Sequence, residues 1–334
     1  MINEGLNNKN IQIRIKWIRI SFFIGIILFF IKLTGYLITN SVAILSDALE
    51  SIINIIASGF AFYSIRLSAM PADKSHPYGH GKIEFFSAGF EGALIILAAF
   101  GIFYTAIPGF FSNIKVTSLN KGIILVLISA FVNLILGIYL KKRGKEAKSF
   151  ALESDGRHIL TDSFSSFAVI LALFLVYLTN YIILDPIIAC AVAFNILFSG
   201  VKIVKTSYAR LMDEADPLLL QNITNTFNSG RKNEWIDVHH LRAWVSGAYH
   251  HIDIHLTLPR FWELDKSHDT EKDIERMLLE NLEEEGEVIV HIDPCSPSCC
   301  IFCPYEPCPV RENKFKSKNI WTKESLISEP SYLK

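Results

Sequence analysis

The sequence is short of charge. Asp, Glu, Lys and Arg make up only 19% of its 334 residues, while 51% are hydrophobic. A mean hydropathy of +0.33 makes the chain too apolar for an ordinary soluble protein. The formal net charge is −1, so no excess of positive charge points to a nucleic-acid partner. These shortages favour a membrane protein.

Signals of several other classes are missing. No HExxH run occurs and no nucleophile accompanies the ionisable residues described below, so we expect no enzyme such as an intramembrane metalloprotease. The first apolar run lacks a small-residue cleavage site, so we expect no cleavable signal peptide. Of six cysteines, five crowd into residues 295–308. Crowding with CxxC spacing indicates metal binding rather than a disulfide framework.

Six apolar runs follow a polar segment, residues 1–16, and each is close to the roughly 20 residues that a membrane-spanning helix needs. They lie at about 17–38, 41–66, 86–108, 120–140, 153–179 and 182–204. Lys and Arg concentrate on the side of the N-terminus, in loops 67–85 and 141–152 and after Lys202. Because positive loops stay in the cytoplasm, we expect both termini there and a six-helix domain over residues 17–205.

The second and fifth runs carry ionisable and amide side chains at bilayer depth. Glu50 and Asn54 are four residues apart, as are His158 and Asp162, so each pair lies on one helix face. Counted at about 1.5 Å per residue from opposite membrane faces, Glu50 comes level with Asp162 and Asn54 with His158. A carboxylate at this depth usually marks an ion or proton pathway. Four such ligands predict a transporter of divalent metal cations.

Other polar residues in the runs have two interpretations each. Asp47, one turn before Glu50, suits hydrogen bonding between helices as well as ligation, and we expect it to lie behind the ligands. Asp155 either guides ions or faces water, and Glu91 either relays protons or packs. Lys32 is the only lysine well inside a run, which makes it a candidate counter-ion.

After Lys205 the composition becomes that of a small α/β domain, residues 206–294. Its periodicity predicts the order helix, strand, strand, helix, strand, which is typical of a ferredoxin-like, metallochaperone-like fold. Residues 295–334 form a tail, rich in cysteine and then polar, for which we expect poor order. The cysteines either hold zinc, serve a metal-sensing tail or are inert. The candidate ligands are Cys295, Cys299, Cys300, Cys303 and Cys308.

Motifs along residues 17–294 resemble the cation diffusion facilitators, a family of metal–proton antiporters. They are DALES in the second run, PADKSHPYGHGKIE in the next loop, HxxxD in the fifth run, LMDEAD after the sixth run and the final VIVHIDP. The resemblance implies that the transport site falls on Glu50, Asn54, His158 and Asp162.

Asn54 departs from the family pattern, in which the second run carries Asp or His and then Asp. The charges of Glu50 and Asp162 still balance one metal(II) ion. The amide oxygen of Asn54 is a harder and weaker ligand than imidazole, which leaves room for iron(II) or manganese(II) beside zinc.

The resemblance implies two further metal sites and a charge pair. In the loop, a zinc site would fall on Asp73, His76 and His80. In the soluble domain, a binuclear site at a dimer interface would fall on His239, His255, His268, His291 and Asp293. Lys82 and Asp213 match the family's charge pair, which locks the membrane region to the soluble domain.

These features together predict a homodimer of the inner (cytoplasmic) membrane that exports a divalent cation in exchange for protons. Zinc or iron(II) is the expected substrate, ahead of manganese(II) and cadmium(II), and a divalent metal is also the expected regulatory ligand. The competing hypothesis is a non-transporting member of the same family that senses metal or acts as a scaffold.

Overall fold

The fold comes from a computed structural model, which describes residues 2–111, 119–179, 181, 183–282, 285–330 and 332. The chain divides into two compact units, Met1–Leu211 and Met212–Lys334. The first unit is helical and the second contains a small sheet, which confirms the predicted fold class.

Six long helices build the first unit. They are α1 (Ile2–Thr39), α2 (Val42–Ser68), α3 (Ile83–Ala106), α4 (Leu119–Glu146), α5 (Phe150–Thr179) and α6 (Leu184–Leu211). The predicted runs fall on these helices, one run to each. One difference is that α1 already begins at Ile2, so the polar segment before the first apolar run is helical too. No proline interrupts that segment, and nothing else in it stops a helix from continuing.

Five of the described helices are long and apolar enough to cross a membrane, namely α1, α2, α3, α4 and α6. The sixth, α5, is 30 residues long but carries Glu153, Asp155, Arg157 and Asp162 in its N-terminal half. Asp155 and Asp162 are nevertheless buried inside the bundle. On the outer surface, large apolar side chains such as Phe100 are exposed, which suits contact with lipid.

A glycine allows α4 and α5 to pack backbone to backbone. A Cβ atom at Gly156 would clash with the backbone nitrogen of Lys141. Small residues let membrane helices approach closely in this way. Because His158 follows two residues later, the contact helps to set the position of the polar half of α5.

A buried polar network joins four helices at one end of the first unit. Arg14 of α1 pairs with Glu84 of α3 at 3.3 Å and donates a hydrogen bond to the carbonyl of Ala147 at 2.8 Å. The Glu84 carboxylate also accepts hydrogen bonds from the hydroxyls of Ser68, at the end of α2, and Ser149, just before α5. One carboxylate therefore holds the ends of α1, α2, α3 and α5 together.

The second unit follows the predicted order of elements. It contains α7 (Pro217–Gly230), β1 (Asp237–Ser246), β2 (Tyr249–Leu258), α8 (Leu264–Leu282), β3 (Glu285–Pro294) and α9 (Lys323–Ile327). The sheet order is β1-β2-β3, with β1 and β2 antiparallel and β2 and β3 parallel. Phe227 of α7 and Ile274 and Leu278 of α8 are buried in a core with apolar strand residues such as Ile254.

The prediction of a poorly ordered tail is wrong for the described residues. After β3 the chain makes a short 3-10 turn at Pro297–Ile301 and later returns to the domain, where Trp321 and Leu326 are buried in the core. Asn228 donates a hydrogen bond to the Trp321 carbonyl at 2.9 Å, and the Arg231 guanidinium lies over the Trp321 ring. Burial of these two apolar side chains stabilises the ordered conformation of the tail, because it removes apolar surface from water.

Candidate metal-transport site

Helices α2 and α5 bring the four predicted transport-site residues into one buried group. Glu50, Asn54, His158 and Asp162 are between 0% and 7% exposed. The Asn54 amide nitrogen donates a short hydrogen bond to Asp162 Oδ2, and the Asn54 oxygen lies 2.7 Å from His158 Nε2. The carboxyls of Glu50 and Asp162 are close enough to interact electrostatically. Asn54, His158 and Asp162 therefore contact one another between the two helices, with Glu50 buried near them.

The four transport-site residues contain more hydrogen-bond acceptor atoms than donor atoms. Because the Asn54 oxygen accepts from His158 Nε2, Nδ1 of a neutral His158 is an acceptor, and it lies 3.3 Å from Asp162 Oδ1. Within the described residues, His158 Nδ1, Asp162 Oδ1 and Glu50 Oε1 have no hydrogen-bond partner. Buried polar atoms without partners are unfavourable, so three such acceptors in one buried group favour a cation here. A set of one nitrogen and several oxygens suits zinc, iron(II) or manganese(II).

A buried lysine lies beside this group. Lys32 of α1 is 0% exposed, and its Nζ lies 2.9 Å from Asp47 Oδ1. The hydroxyl of Ser166 donates a hydrogen bond to the same oxygen at 2.7 Å. Oδ1 of Asp47 is therefore occupied by contacts between helices, whereas Oδ2 has no hydrogen-bond partner among the described residues, so both interpretations of Asp47 stay predictions. The charge of Lys32 also acts on Glu50 and Asp162.

Asp155 lies one turn before His158 and faces serines. It is 1% exposed and accepts hydrogen bonds from Ser21 at 2.8 Å and Ser58 at 3.2 Å. The same two serines line a small cavity with Asn54. In this conformation the carboxylate belongs to the inside of the bundle and is not in contact with water outside.

Glu91 of α3 is buried within range of the same carboxylates. It interacts electrostatically with Asp155 and Asp162. Its Oε1 has no hydrogen-bond partner within the described part of the chain. Both interpretations of Glu91, proton relay and packing, stay predictions.

The loop between α2 and α3 gathers the second predicted set of ligands, Asp73, His76 and His80. The Asp73 carboxylate accepts hydrogen bonds from the backbone of His76 at 2.7 Å and of Ser75 at 2.8 Å, which hold the pKa of Asp73 below its usual value. His76 Nδ1 and His80 Nε2 lie 3.3 Å and 3.5 Å from the Asp73 oxygens. One ligand atom from each residue lies within 4.8 Å of the other two, close enough for a single metal ion to contact all three.

In the second unit, neighbouring strands gather most of the third predicted set. His239 of β1 pairs in register with His255 of β2, and His255 pairs with His291 of β3. Asp293 Oδ2 lies 3.2 Å from His239 Nε2 and 3.1 Å from His255 Nδ1. Asp293 Oδ1 lies 3.5 Å from His291 Nε2. Burial lowers the pKa of His255 against the opposing effect of Asp293, so its imidazole is neutral and able to ligate near pH 7.

The group that the structure forms differs from the predicted set at two residues. His268 is exposed on α8 and its Nδ1 lies 3.0 Å from Glu271, so the structure does not bring it to the strand residues. Asp237, which the sequence analysis missed, has a carboxylate oxygen 3.5 Å from His239 Nδ1. The signal was present, because alternate residues of a strand point to the same face and these two are neighbours on that face.

Lys82 and Asp213 lie in different units of the chain. Lys82 immediately precedes α3, and Asp213 follows α6 with a left-handed φ of 57°. Their predicted charge pair stays a prediction.

Comparison with known families decides the class of protein. The model of the cation efflux transmembrane domain matches residues 18–212, and that of the cytoplasmic domain of cation efflux proteins matches residues 215–295. The chain belongs to the cation efflux family. The predicted resemblance to cation diffusion facilitators is thereby confirmed, and the family is one of membrane cation transporters rather than an enzyme class.

Relatives of this cation efflux protein align over most of its length. It is 36% identical over 265 residues to the uncharacterized transporter sll1263 of Synechocystis, which covers 79% of this chain and 85% of the relative. It is 29% identical over 274 residues to the cation-efflux pump FieF of Escherichia coli, covering 81% of this chain and 89% of the relative. FieF of Serratia proteamaculans is 28% identical with the same coverage.

Proposed function

We propose that the protein exports a divalent metal ion from the cytoplasm in exchange for protons. The observation that carries the proposal is the buried group of Glu50, Asn54, His158 and Asp162, with three acceptor atoms left unpartnered. The two carboxylates neutralise one metal(II) ion, so a neutral complex forms inside the bilayer. Zinc and iron(II) are the favoured substrates, ahead of manganese(II) and cadmium(II).

Proton exchange follows from the chemistry of these ligands. Metal binding needs carboxylates and a neutral imidazole, so the ion displaces any protons that Asp162, Glu50 and His158 carry. When the site faces outward, protons compete for the same atoms and release the metal. Glu50 and Asp162 interact electrostatically, and two carboxylates that share a site are stabilised by a metal ion or a proton. The site therefore returns inward carrying protons.

The proposed assembly is a homodimer in the inner membrane with both termini in the cytoplasm. The Lys- and Arg-rich loops and the match to a cytoplasmic dimer domain support this arrangement. Metal at the Asp73 loop group and at the Asp293 strand group would then report high cytoplasmic metal and brace the dimer. Lys82 and Asp213 would lock the membrane region to the soluble domain.

Metal flux into proteoliposomes with an imposed pH gradient tests the proposal. We expect uptake of zinc or iron(II) that requires the gradient and falls to background in Asp162→Ala. Thr161→Ala is the matched control, because the Thr161 hydroxyl bonds to the Arg157 carbonyl of its own helix. Gradient-driven uptake that survives in Asp162→Ala would refute the four-ligand site.

A metal sensor or scaffold without transport is the second candidate. It is favoured by the hydrogen bond from Asn54, which occupies one of the ligand carboxylates. This alternative predicts no flux of zinc, iron(II), manganese(II) or cadmium(II), while the loop and strand groups still bind metal.

A further inference from the structure

Five cysteines line one cavity in the second unit. They are Cys295, Cys299, Cys300, Cys303 and Cys308, and Arg260 and Arg311 line the same cavity. All five thiols are free, so no disulfide accounts for their meeting. The matched cytoplasmic-domain model ends at residue 295, so four of the five lie beyond it. The transport function uses none of them.

The backbone around the cavity is held in place. Cys295 directly follows β3, and its N–H donates a hydrogen bond to the Leu258 carbonyl at the end of β2, at 2.9 Å. The N–H of Cys303 bonds to the Cys300 carbonyl at 3.3 Å, which closes a tight turn. The turn thus carries two thiols at CxxC spacing, Cys300 and Cys303, and the end of the sheet carries a third, Cys295. The backbone therefore places these three thiols around one cavity.

Backbone N–H groups point at the sulfurs. The N–H of Arg260 lies 3.4 Å from Cys295 Sγ, and that of Ser296 lies 3.4 Å from Cys299 Sγ. Hydrogen bonds of this kind orient metal ligands.

Cys299 differs from the other four. Its sulfur accepts hydrogen bonds from the backbone N–H of Ser296 at 3.4 Å, as part of the cap of the 3-10 turn. Its side chain is 1% exposed and lies in an apolar cluster with Ile236 and Cys303, so what distinguishes Cys299 is its part in the cap. Cys299 therefore has a local structural role, which leaves Cys295, Cys300, Cys303 and Cys308.

The charge around the cavity suits a thiolate centre. Four thiolates and one zinc(II) ion carry a net charge of −2, and the two arginines offer the opposite charge. Arg311 also donates to the carbonyls of Cys300 and Cys303. Each arginine has one carboxylate partner, Glu312 for Arg260 and Glu306 for Arg311, both largely exposed at the rim.

We propose that Cys295, Cys300, Cys303 and Cys308 bind one structural zinc ion as four thiolates, each thiol releasing one proton. In the part of the chain that the structure describes, two groups have ligand atoms within 4.8 Å of one another, and the thiols are in neither. The ion therefore has to draw the sulfurs together. The site would fasten the end of β3 to the segment that leads on to Trp321, since Lys316 N already bonds to the Ile301 carbonyl at 2.8 Å.

The test uses the purified full chain and two kinds of measurement. Zinc content after dialysis against EDTA should be about one tightly held ion per chain in the wild type and in Cys299→Ser, and about none in Cys308→Ser. Cobalt(II) in place of zinc should give intense sulfur-to-cobalt absorption bands in the near ultraviolet in the first two proteins. The transport, loop and strand groups contain no sulfur, so they do not produce this signature.

Cys308→His tests whether the loss of zinc expected in Cys308→Ser reflects the missing ligand or a failure to fold. A histidine can replace one cysteine in a structural zinc site, so this variant should keep its zinc with weakened sulfur bands. The proposal is overturned if the wild type shows no sulfur-to-cobalt bands, or if Cys299→Ser loses the ion as fully as Cys308→Ser. It is overturned as well by iron with visible iron–sulfur absorption, or by disulfides between these residues in the freshly purified protein.

Discussion

At the scale of single residues, the most unusual feature of the bundle is an ion pair with no access to water. Lys32 Nζ lies 2.9 Å from Asp47 Oδ1, and both side chains are almost completely buried. Removing one partner of a buried pair leaves an uncompensated charge, whereas replacing both with apolar residues leaves none. Single and double substitutions therefore distinguish the contribution of the ion pair from that of each charged residue alone.

We expect Lys32→Met and Asp47→Leu each to lower the free energy of unfolding by about 3–5 kcal/mol. The double variant should recover most of that loss, because no buried charge remains. Thermal unfolding of the four proteins in detergent gives the comparison. Losses that simply add in the double variant would show that the two residues are independent.

Asn54 is the one side chain of the transport group that does not titrate, and Asn54→Asp tests what that permanent neutrality does. The added carboxylate should lower the KM for zinc and iron(II) flux through its charge. It also replaces the amide that donates to Asp162 with an acceptor, so the metal-free protein should melt at a lower temperature. Flux kinetics and melting with and without zinc measure both effects. An unchanged KM would remove Asn54 from the ligand set.

At the scale of helices, the position of α5 depends on its contact with α4. Gly156→Ala puts a methyl group against the backbone nitrogen of Lys141, and neither backbone can yield without moving its helix. We expect loss of most transport and destabilisation of at least about 1–3 kcal/mol. Metal flux together with thermal unfolding would show this.

Gly101→Ala provides the contrast for that experiment. A Cβ atom at Gly101 meets nothing within 4 Å among the described residues, so the change only removes a flexible residue from α3. We expect a gain of up to about 1 kcal/mol and normal transport. Equal effects of the two substitutions would mean that the α4–α5 contact does not set the site.

The helices and strands could be predicted from the sequence because their signals are local. Apolar length marks the helices, and alternation in residues 249–258 marks a strand. The pairing of Lys32 with Asp47 was missed because the two lie on different helices, and a pattern along one chain does not reveal such contacts. The order of residues 295–334 was misjudged for a related reason. A polar segment gives no local sign that one of its side chains, Trp321, is buried in the core.

At the scale of the whole molecule, the C-terminal segment is part of the second unit rather than an appendage. Trp321 is 4% exposed, whereas its neighbour Ile320 is 82% exposed. Trp321→Ala should therefore lower the stability of that unit by about 3–5 kcal/mol, and Ile320→Ala should change it little. Limited proteolysis of the full chain, with cleavage near residue 320 as the readout, distinguishes them. Equal resistance of both variants would contradict the packing seen for Trp321.

The Arg14–Glu84 network has a consequence for how a transport cycle proceeds in time. Any motion that parts the ends of α1, α2, α3 and α5 must first separate a carboxylate and a guanidinium that are shielded from water. Intermediate separations leave both groups buried and apart, which is the least favourable arrangement. This end of the bundle should thus behave as a latch that is either shut or open, and the waiting time before it releases would set a ceiling on turnover.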